Sequence, residues 1–280
     1  MNTFHLPSKL KLAVNSKTYS FPVTFSDEVI LQGSGGGLGK ARNHFLNHGD
    51  FILMNGDEVV IPKDSDFLSR ALAEHKVSGA IATLMVTENS EVGTKFGGVW
   101  VDKNSNILGF GKQKIARSVK GFHYIGIAIF SEVIFDFIRP GESNILYDGL
   151  TQALLAGHTA RVSPIDCHWF ETGNELDFRL AAQNCLQMLS MVSPESKYLQ
   201  GILSKLAPGS SYQNLGGLNL LIDKTSKYKI ENLEGYVILG PEVNVGTQCF
   251  LKNCILGAGV QINKTDRLED KMIINDQDTL

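Results

Sequence analysis

Cysteine is scarce and without pattern in this 280-residue chain. No two of Cys167, Cys185, Cys249 and Cys254 form a C-x-x-C pair, and no histidine stands at zinc-like spacing from two of them. Neither a structural metal framework nor a disulfide scaffold is expected, and reduced thiols of a cytoplasmic protein are the default reading. An excess of positive charge is also missing. With 26 Lys and Arg against 29 Asp and Glu, the net charge is -3, which excludes the basic footprint of a protein that binds a nucleic acid polymer. Long apolar runs are absent. Ala80–Val86 and Tyr124–Phe130 reach about seven residues where a membrane helix needs about twenty, so no membrane span is expected. The opening MNTFHLPSKLKLAVN lacks the apolar core and small-residue cleavage site of a signal peptide. What remains is ordinary globular composition, 43% hydrophobic and 20% charged. That excludes wholesale disorder, and the length leaves room for about two domains.

The first two thirds alternate apolar runs with helical patterns. Phe51–Met54 reads as a short buried strand, followed by a helix over Ser65–His75 in which Phe67, Leu68, Ala71 and Leu72 share a face. Ala80–Val86 is a second strand. Lys95–Val101 and Ile107–Gly111 flank the polar turn Asp102–Asn106 and read as a hairpin. Gly121–Phe130 is a third long strand, Ser131 caps a short helix through Ile138, and Asn144–Ala156 and Asn174–Met191 are further helices. This alternation predicts an α/β fold with a Rossmann-like, mainly parallel sheet flanked by helices.

After Met191 the texture changes. Ser193–Ser211 is rich in Ser, Gly, Pro and Lys and reads as a connector. From Tyr236, Val237, Val243, Cys249 and Ile255 recur at intervals of six, as do Leu239, Val245 and Leu251. A six-residue period of this kind predicts a short left-handed parallel β-helix; two ordinary strands with glycine turns are the plainer alternative. The expected domains are therefore 1–191, a connector 192–235, and a hexapeptide-repeat segment 236–280. So short a coil needs a neighbour to cover its end, and a homo-oligomer is expected.

Three fragments could carry chemistry. The 28 glycines are unevenly spread, and the richest cluster is Gln32–Ala41, with Gly33, Ser34, Gly35 and Gly36 ahead of a helical pattern. Such a cluster lets backbone N–H groups approach a ligand, although flexible loops share the composition, and neither a G-K-[ST] loop nor a dinucleotide fingerprint is present. Asn55-Gly56-Asp57 ends the strand Phe51–Met54. Ligands of open α/β sheets bind at the carboxyl ends of strands, where an aspartate can hold Mg²⁺; a plain turn has the same composition. Glu171, in Trp169-Phe170-Glu171-Thr172-Gly173-Asn174, is either a second metal ligand or a helix-start residue favoured by the macrodipole.

Taken in order, Leu31…Gly33-Ser34-Gly35-Gly36-Gly37-Leu38, Phe51–Asp57, Phe96-Gly97-Gly98-Val99, Tyr124-Ile125-Gly126-Ile127 and Trp169–Gly173 resemble the sugar-phosphate nucleotidyltransferases. The resemblance covers roughly Asn2 to Gln187, and the hexapeptide tail likens it most to the mannose-1-phosphate guanylyltransferases. It implies that a sugar 1-phosphate attacks the α-phosphorus of a nucleoside triphosphate and displaces pyrophosphate, with Mg²⁺ as cofactor. By resemblance Asp57 is a catalytic metal ligand, and Glu171 stands where the family normally has aspartate. Gly33, Ser34, Gly35, Gly36 and Asn55 match nucleotide-binding positions, and Gly97, Tyr124 and Gly126 match the sugar pocket. A usual F-x-E-K-P element is degraded to Phe110-Gly111-Lys112-Gln113-Lys114, which would put Lys112 where a glutamate contacts the sugar.

The largest departure is at the front. Met1–Pro7 matches the end of the family's second strand, so the family's opening strand, glycine-rich phosphate loop, arginine and lysine have no counterpart here; Lys9, Lys11 and Lys17 lie after that point with no glycines around them. Either the true start lies upstream or the chain is a truncated or degenerate relative, and little turnover is expected from it as it stands. The competing reading is a catalytically inactive regulatory or assembly subunit that binds a nucleotide sugar.

Overall fold

A computed structural model of the chain describes residues 1–263 and 265–275. It divides into two compact units, Met1–Gly56 with Asp64–Cys167, and Asp57–Lys63 with His168–Leu280.

The first unit is built on a six-stranded sheet in which the strand Lys120–Phe130 is the hub. Ala128 on that strand faces Leu53 of Phe51–Met54 on one edge and Leu84 of Ala82–Thr87 on the other. Gly98–Val101 pairs with its beginning, and Ile107–Gly111 completes the expected hairpin. Ile125, Ala128, Ile129 and Phe130 are fully buried, which explains the near-continuous apolar run of a strand covered on both faces.

The expected mainly parallel sheet is corrected to a mixed one. Lys120–Phe130 runs antiparallel to Phe51–Met54, Ala82–Thr87 and Gly98–Val101, and among the described strands of this sheet only Ala82–Thr87 with Ala160–Pro164 is parallel. Helical crossovers do return Phe51–Met54 and Ala82–Thr87 in one direction. The long strand follows a hairpin without a crossover helix and inserts between them in the opposite sense. Among the described residues Phe51–Met54 pairs on one edge only, and its Ile52 and Met54 are 38% and 59% exposed.

The helix Phe67–Ser78 packs through Ala71 and the buried His75, whose Nδ1 meets Thr83 Oγ1 at 2.8 Å. The expected helix over Asn144–Ala156 forms as a π-helical turn, Ile145–Leu150, continued by the α-helix Thr151–Leu155. Asn144 caps it by accepting from the N–H groups of Leu146 and Tyr147.

In the second unit, Glu58–Pro62 pairs with Cys167–Glu171. The helix Glu175–Leu189 is capped by Asn174, which accepts from Asp177 N–H. The stretch expected as a connector carries regular structure. Ser193 caps the helix Pro194–Leu206, with proline in its first turn, and Ser210–Leu215 and Leu218–Asp223 form a hairpin turning on Gly216 and Gly217, both at positive φ. Ser, Pro and Gly here are cap and turn residues of ordered elements rather than linker composition.

From there parallel strands stack in succession. Leu218–Asp223 pairs with Leu233–Leu239, which pairs with Phe250–Leu256, which pairs with Arg267–Glu269 and Met272–Ile273. Val237, Leu239, Val243, Val245, Cys249 and Leu251 are buried together, but Ile255 is not in their column. Cys254 and Leu256 take that place, and Ile255 packs instead with Ile61, Leu186, Leu189 and Tyr236. The cause is a register shift: Leu233 lies opposite Leu251, yet Val237 lies opposite Cys254, one residue short of the six-residue period. The slip is accommodated at Gly235, φ +71°, against Asn253, φ +52°. Cys185, half-buried nearby in sequence, has its thiol pushed up to about 11 by burial, so it is not a thiolate at neutral pH.

A Cβ at Gly235 would lie 2.1 Å from Asn253 Oδ1, the atom that accepts from Tyr236 N–H. Gly235→Ala is therefore expected to destabilise the chain by about 1–3 kcal/mol, read as a lower urea midpoint. An unchanged midpoint would show that the slip is not held here.

Candidate functional site

The carboxyl end of Phe51–Met54 is fixed by one backbone contact. Asn55 N–H donates to Gly126 O at 2.8 Å. Gly126 sits at φ +72° in a bulge where Val86 pairs with Tyr124 while Leu84 pairs with Ala128. That left-handed backbone is open to glycine and costly for residues with a Cβ. Beside Asn55 opens a cavity of about 360 Å³, lined among others by Ser34, Gly37, Leu38, Phe45 and Leu53. No Lys, Arg, Asp or Glu side chain lines it among the described residues.

The glycine cluster is not a loop ahead of a helix. Gly33–Lys40 is itself the helix. Its glycines lie where another chain segment passes too close for a side chain: a Cβ would come 2.6 Å from Ser143 O at Gly33, 2.2 Å from Gly141 O at Gly36 and 2.8 Å from Ile138 at Gly39. The N–H groups of Gly35 and Gly36 both donate to Ser143 O, at 2.8 and 3.4 Å, and Ser34 Oγ accepts from Ile145 N–H at 3.1 Å. The helix start is thus capped by protein rather than left open for a ligand.

Of the positions matched to a sugar pocket, Gly97 has no room for a Cβ, which would meet Tyr147 Oη at 2.6 Å. Tyr124 is half-buried against the main core, and Gly126 is buried. Lys112 is exposed. Two residues escaped the sequence reading. Tyr147 carries no local signal, because only the fold brings it to Gly97. Glu28 is 7% exposed and accepts from Asn2 Nδ2 at 2.8 Å and Gln32 N–H at 2.9 Å. It ties the short parallel pair Asn2–Thr3 and Ser26–Asp27 to the start of the glycine helix.

In the second unit the Asp57 and Glu171 stretches are brought together. Thr172 N–H and Thr172 Oγ1 both donate to the Asp57 carbonyl, at 3.1 and 2.7 Å. One strand pair away, Trp169 Nε1 donates to Glu58 Oε2 at 2.7 Å. Both Asp57 and Glu171 are exposed.

No family model matches the chain. It is 29% identical over 182 residues to the mannose-1-phosphate guanylyltransferase catalytic subunit beta of Dictyostelium discoideum, covering 64% of this chain and 48% of that protein. The matched part of the chain is thus similar in sequence to a sugar-phosphate nucleotidyltransferase subunit. The chain spans about half the length of that curated relative. In fold it is similar to HddC from Yersinia pseudotuberculosis, with a TM-score of 0.52 at 15% identity over 65% of this chain and 76% of that one. The crystal structure of HddC complexed with GMP-PN gives a TM-score of 0.50 at 16% identity over 64% and 74%.

The metal question is one of donor chemistry. Among the described residues no three His, Cys, Asp or Glu side chains gather to hold a metal. Magnesium does not need them: it is commonly held by one or two carboxylates, with phosphate oxygens and water completing the octahedron. Asp57 and Glu171 on adjacent segments fit that donor set. No described helix is long and apolar enough to cross a membrane.

His123 lies beside Tyr124 with its ring 4.8 Å from that of Phe96. Burial lowers its pKa; burial also lowers that of His75, against a partial opposing pull from Asp50. The unfolded chain protonates these rings near pH 6.5, roughly the free imidazole value, and the folded chain only below it. Between those values the unfolded state binds more protons, so the contribution to stability is full above about pH 6.5 and is lost as pH falls. The urea midpoint is expected to drop between about pH 7.5 and 5.5, a window above the ordinary carboxylate range. A midpoint that holds or rises would contradict the neutral, buried state of both rings.

Proposed function

We propose that the chain transfers a nucleotidyl group from a nucleoside triphosphate to a sugar 1-phosphate. A phosphate oxygen of the sugar 1-phosphate forms a bond to the α-phosphorus, the bond from that phosphorus to its bridging oxygen breaks, and pyrophosphate leaves with the electron pair. The observation that most supports this is the double hydrogen bond from Thr172 to the Asp57 carbonyl, which keeps the two candidate carboxylate segments adjacent. Asp57 and Glu171 would hold Mg²⁺, which when bound neutralises phosphate charge. Ser34 and Asn55, at the cavity, are the nucleotide contacts in this reading, with Gly33, Gly35 and Gly36 shaping the helix start; Gly97, Tyr124 and Gly126 form the sugar side. Guanosine triphosphate and mannose 1-phosphate are the first pair to try, after the name of the curated relative.

A second reading has its own support. Among the described residues no Lys or Arg lines the cavity to meet a triphosphate, and Ser143 already occupies the amides of Gly35 and Gly36. Both facts favour a subunit that binds a nucleotide sugar without turning it over. The deciding measurement is Mg²⁺-dependent pyrophosphate release with matched binding assays for GTP and GDP-mannose. Catalysis predicts turnover that falls about a hundredfold or more in Asp57→Asn, the scale of losing one charge-stabilising group. Binding of GDP-mannose with no pyrophosphate release would establish the second reading. Turnover unaffected by Asp57→Asn would rule out the assigned metal site.

The parallel stack from Leu218 onward supports reading its end as a left-handed β-helical coil. Arg267–Glu269 and Met272–Ile273 pair on one side only among the described residues. A second copy would cover that end, as repeat coils require. Light scattering is expected to give a dimer mass at micromolar concentration, reduced to a monomer by Met272→Lys. A wild-type monomer would exclude this arrangement.

A further inference from the structure

The glycine helix has a second concave face. Ser34, Gly37, Leu38 and Ala41 look into the cavity beside Asn55, whereas Gly36, Gly39 and Lys40 line a different pocket of about 310 Å³. Its other walls include Arg42, Arg139 and Pro140. Three cations therefore surround one small pocket, and among the described residues no carboxylate lines it. This is against the composition of a chain with a net charge of -3.

The acids close in sequence to these cations do not line the pocket. Asp27 Oδ2 is paired with Lys11 at 2.5 Å and Asp27 Oδ1 accepts from Thr3, so Lys40 Nζ donates to the Asp27 backbone carbonyl instead. Glu142 and Asp148 line a neighbouring pocket that shares Arg139 and Pro140 with this one, and Asp136 lines neither. Neither Arg42 nor Arg139 has a carboxylate partner among the described residues. Arg42 lies over the ring of Phe135, 5.8 Å from its centroid, which orients the guanidinium without using its donors. Phe135 itself is 2% exposed, so this platform is fixed. A guanidinium held in this way, with its donors free, matches phosphate oxygens in geometry as well as charge. The volume lies at the small end of the range for ligand sites, which selects a compact anion.

We propose that this pocket binds a compact phosphate-bearing anion, a diphosphate or triphosphate group, at a site on the opposite face of the glycine helix from the cavity beside Asn55. The group could arrive as free polyphosphate or as the tail of a nucleotide, and the two sources are separable. The experiment is calorimetric titration of the full chain at fixed ionic strength with inorganic pyrophosphate, with GTP and with sulfate. Pyrophosphate is expected to saturate a single site at least tenfold more tightly than sulfate. GTP that competes with it identifies the nucleotide tail as a source, and GTP that does not leaves free polyphosphate. The Arg42→Gln/Arg139→Gln double variant is expected to lose at least a hundredfold in pyrophosphate affinity, since each charge-assisted contact is worth about tenfold or more. Lys103→Gln, which removes an exposed cation from the turn Asp102–Asn106, should leave pyrophosphate affinity unchanged. If the double variant fails to fold, Lys40→Gln/Arg139→Gln carries the same test without disturbing the Phe135 platform. The proposal fails if pyrophosphate shows no saturable binding, if it binds no better than sulfate, if the pocket variants bind as well as the wild type, or if Lys103→Gln weakens binding as much as they do.

Discussion

The first unit depends on burial of the strand Lys120–Phe130 from both sides. Each fully buried aliphatic or aromatic side chain along it contributes about 1.5–3 kcal/mol relative to exposure, and Ile125, Ile129 and Phe130 all reach that limit. A strand with both edges paired cannot slide without undoing two ladders at once. Its one irregularity, the bulge at Gly126, is therefore held in place from either side. Through the hydrogen bond to Asn55, that bulge sets where Phe51–Met54 ends and where the adjoining cavity opens.

Much of this was legible from residue pattern. Phe51–Met54 and the hairpin ending at Gly111 fall where the apolar runs and turn residues put them, and Ser131 and Asn174 cap the segments assigned to them. Strand order was not legible. The pattern of a strand buried on both faces is the same in a parallel and in an antiparallel setting, so Gly121–Phe130 gave no sign that it would insert between two crossover-linked strands. The glycine cluster misled for a related reason. Composition reports that a backbone needs close approach but not what approaches it, and here the visitor is the protein's own 141–145 segment. That the Asp57 and Glu171 segments meet through Thr172 could be expected from the family resemblance alone; the long gap between them contains nothing local that would have indicated it.

In the second unit, periodicity carried most of the way and then failed by one residue. The sixfold spacing located Val237 through Leu251 in one core, but the slip of Asn253 against Gly235 moves the inward positions of that strand by one, to Cys254 and Leu256. Because side chains alternate along a strand, a single-residue slip exchanges the two faces. Ile255 is thereby delivered to the cluster under the helices, and Cys254 to the interior of the stack. The helix Pro194–Leu206 was hidden by its own beginning, where Ser-Pro reads as a break in composition and acts as a start in structure.

Five glycines among the eight residues of Gly33–Lys40 leave that helix almost no stability of its own, since each costs roughly 0.5–1 kcal/mol relative to alanine. It is a borrowed helix, persisting because Gly141, Ser143 and Ile138 lie in the space that side chains would have filled. Its folding is thus conditional on docking, and the two hollows on its opposite faces share one condition for existing. Detachment of the 141–145 segment would erase both together, so whatever fills either one also holds the segment down. Occupancy on one side is in this sense written into the order of the other, with no moving lid or hinge required.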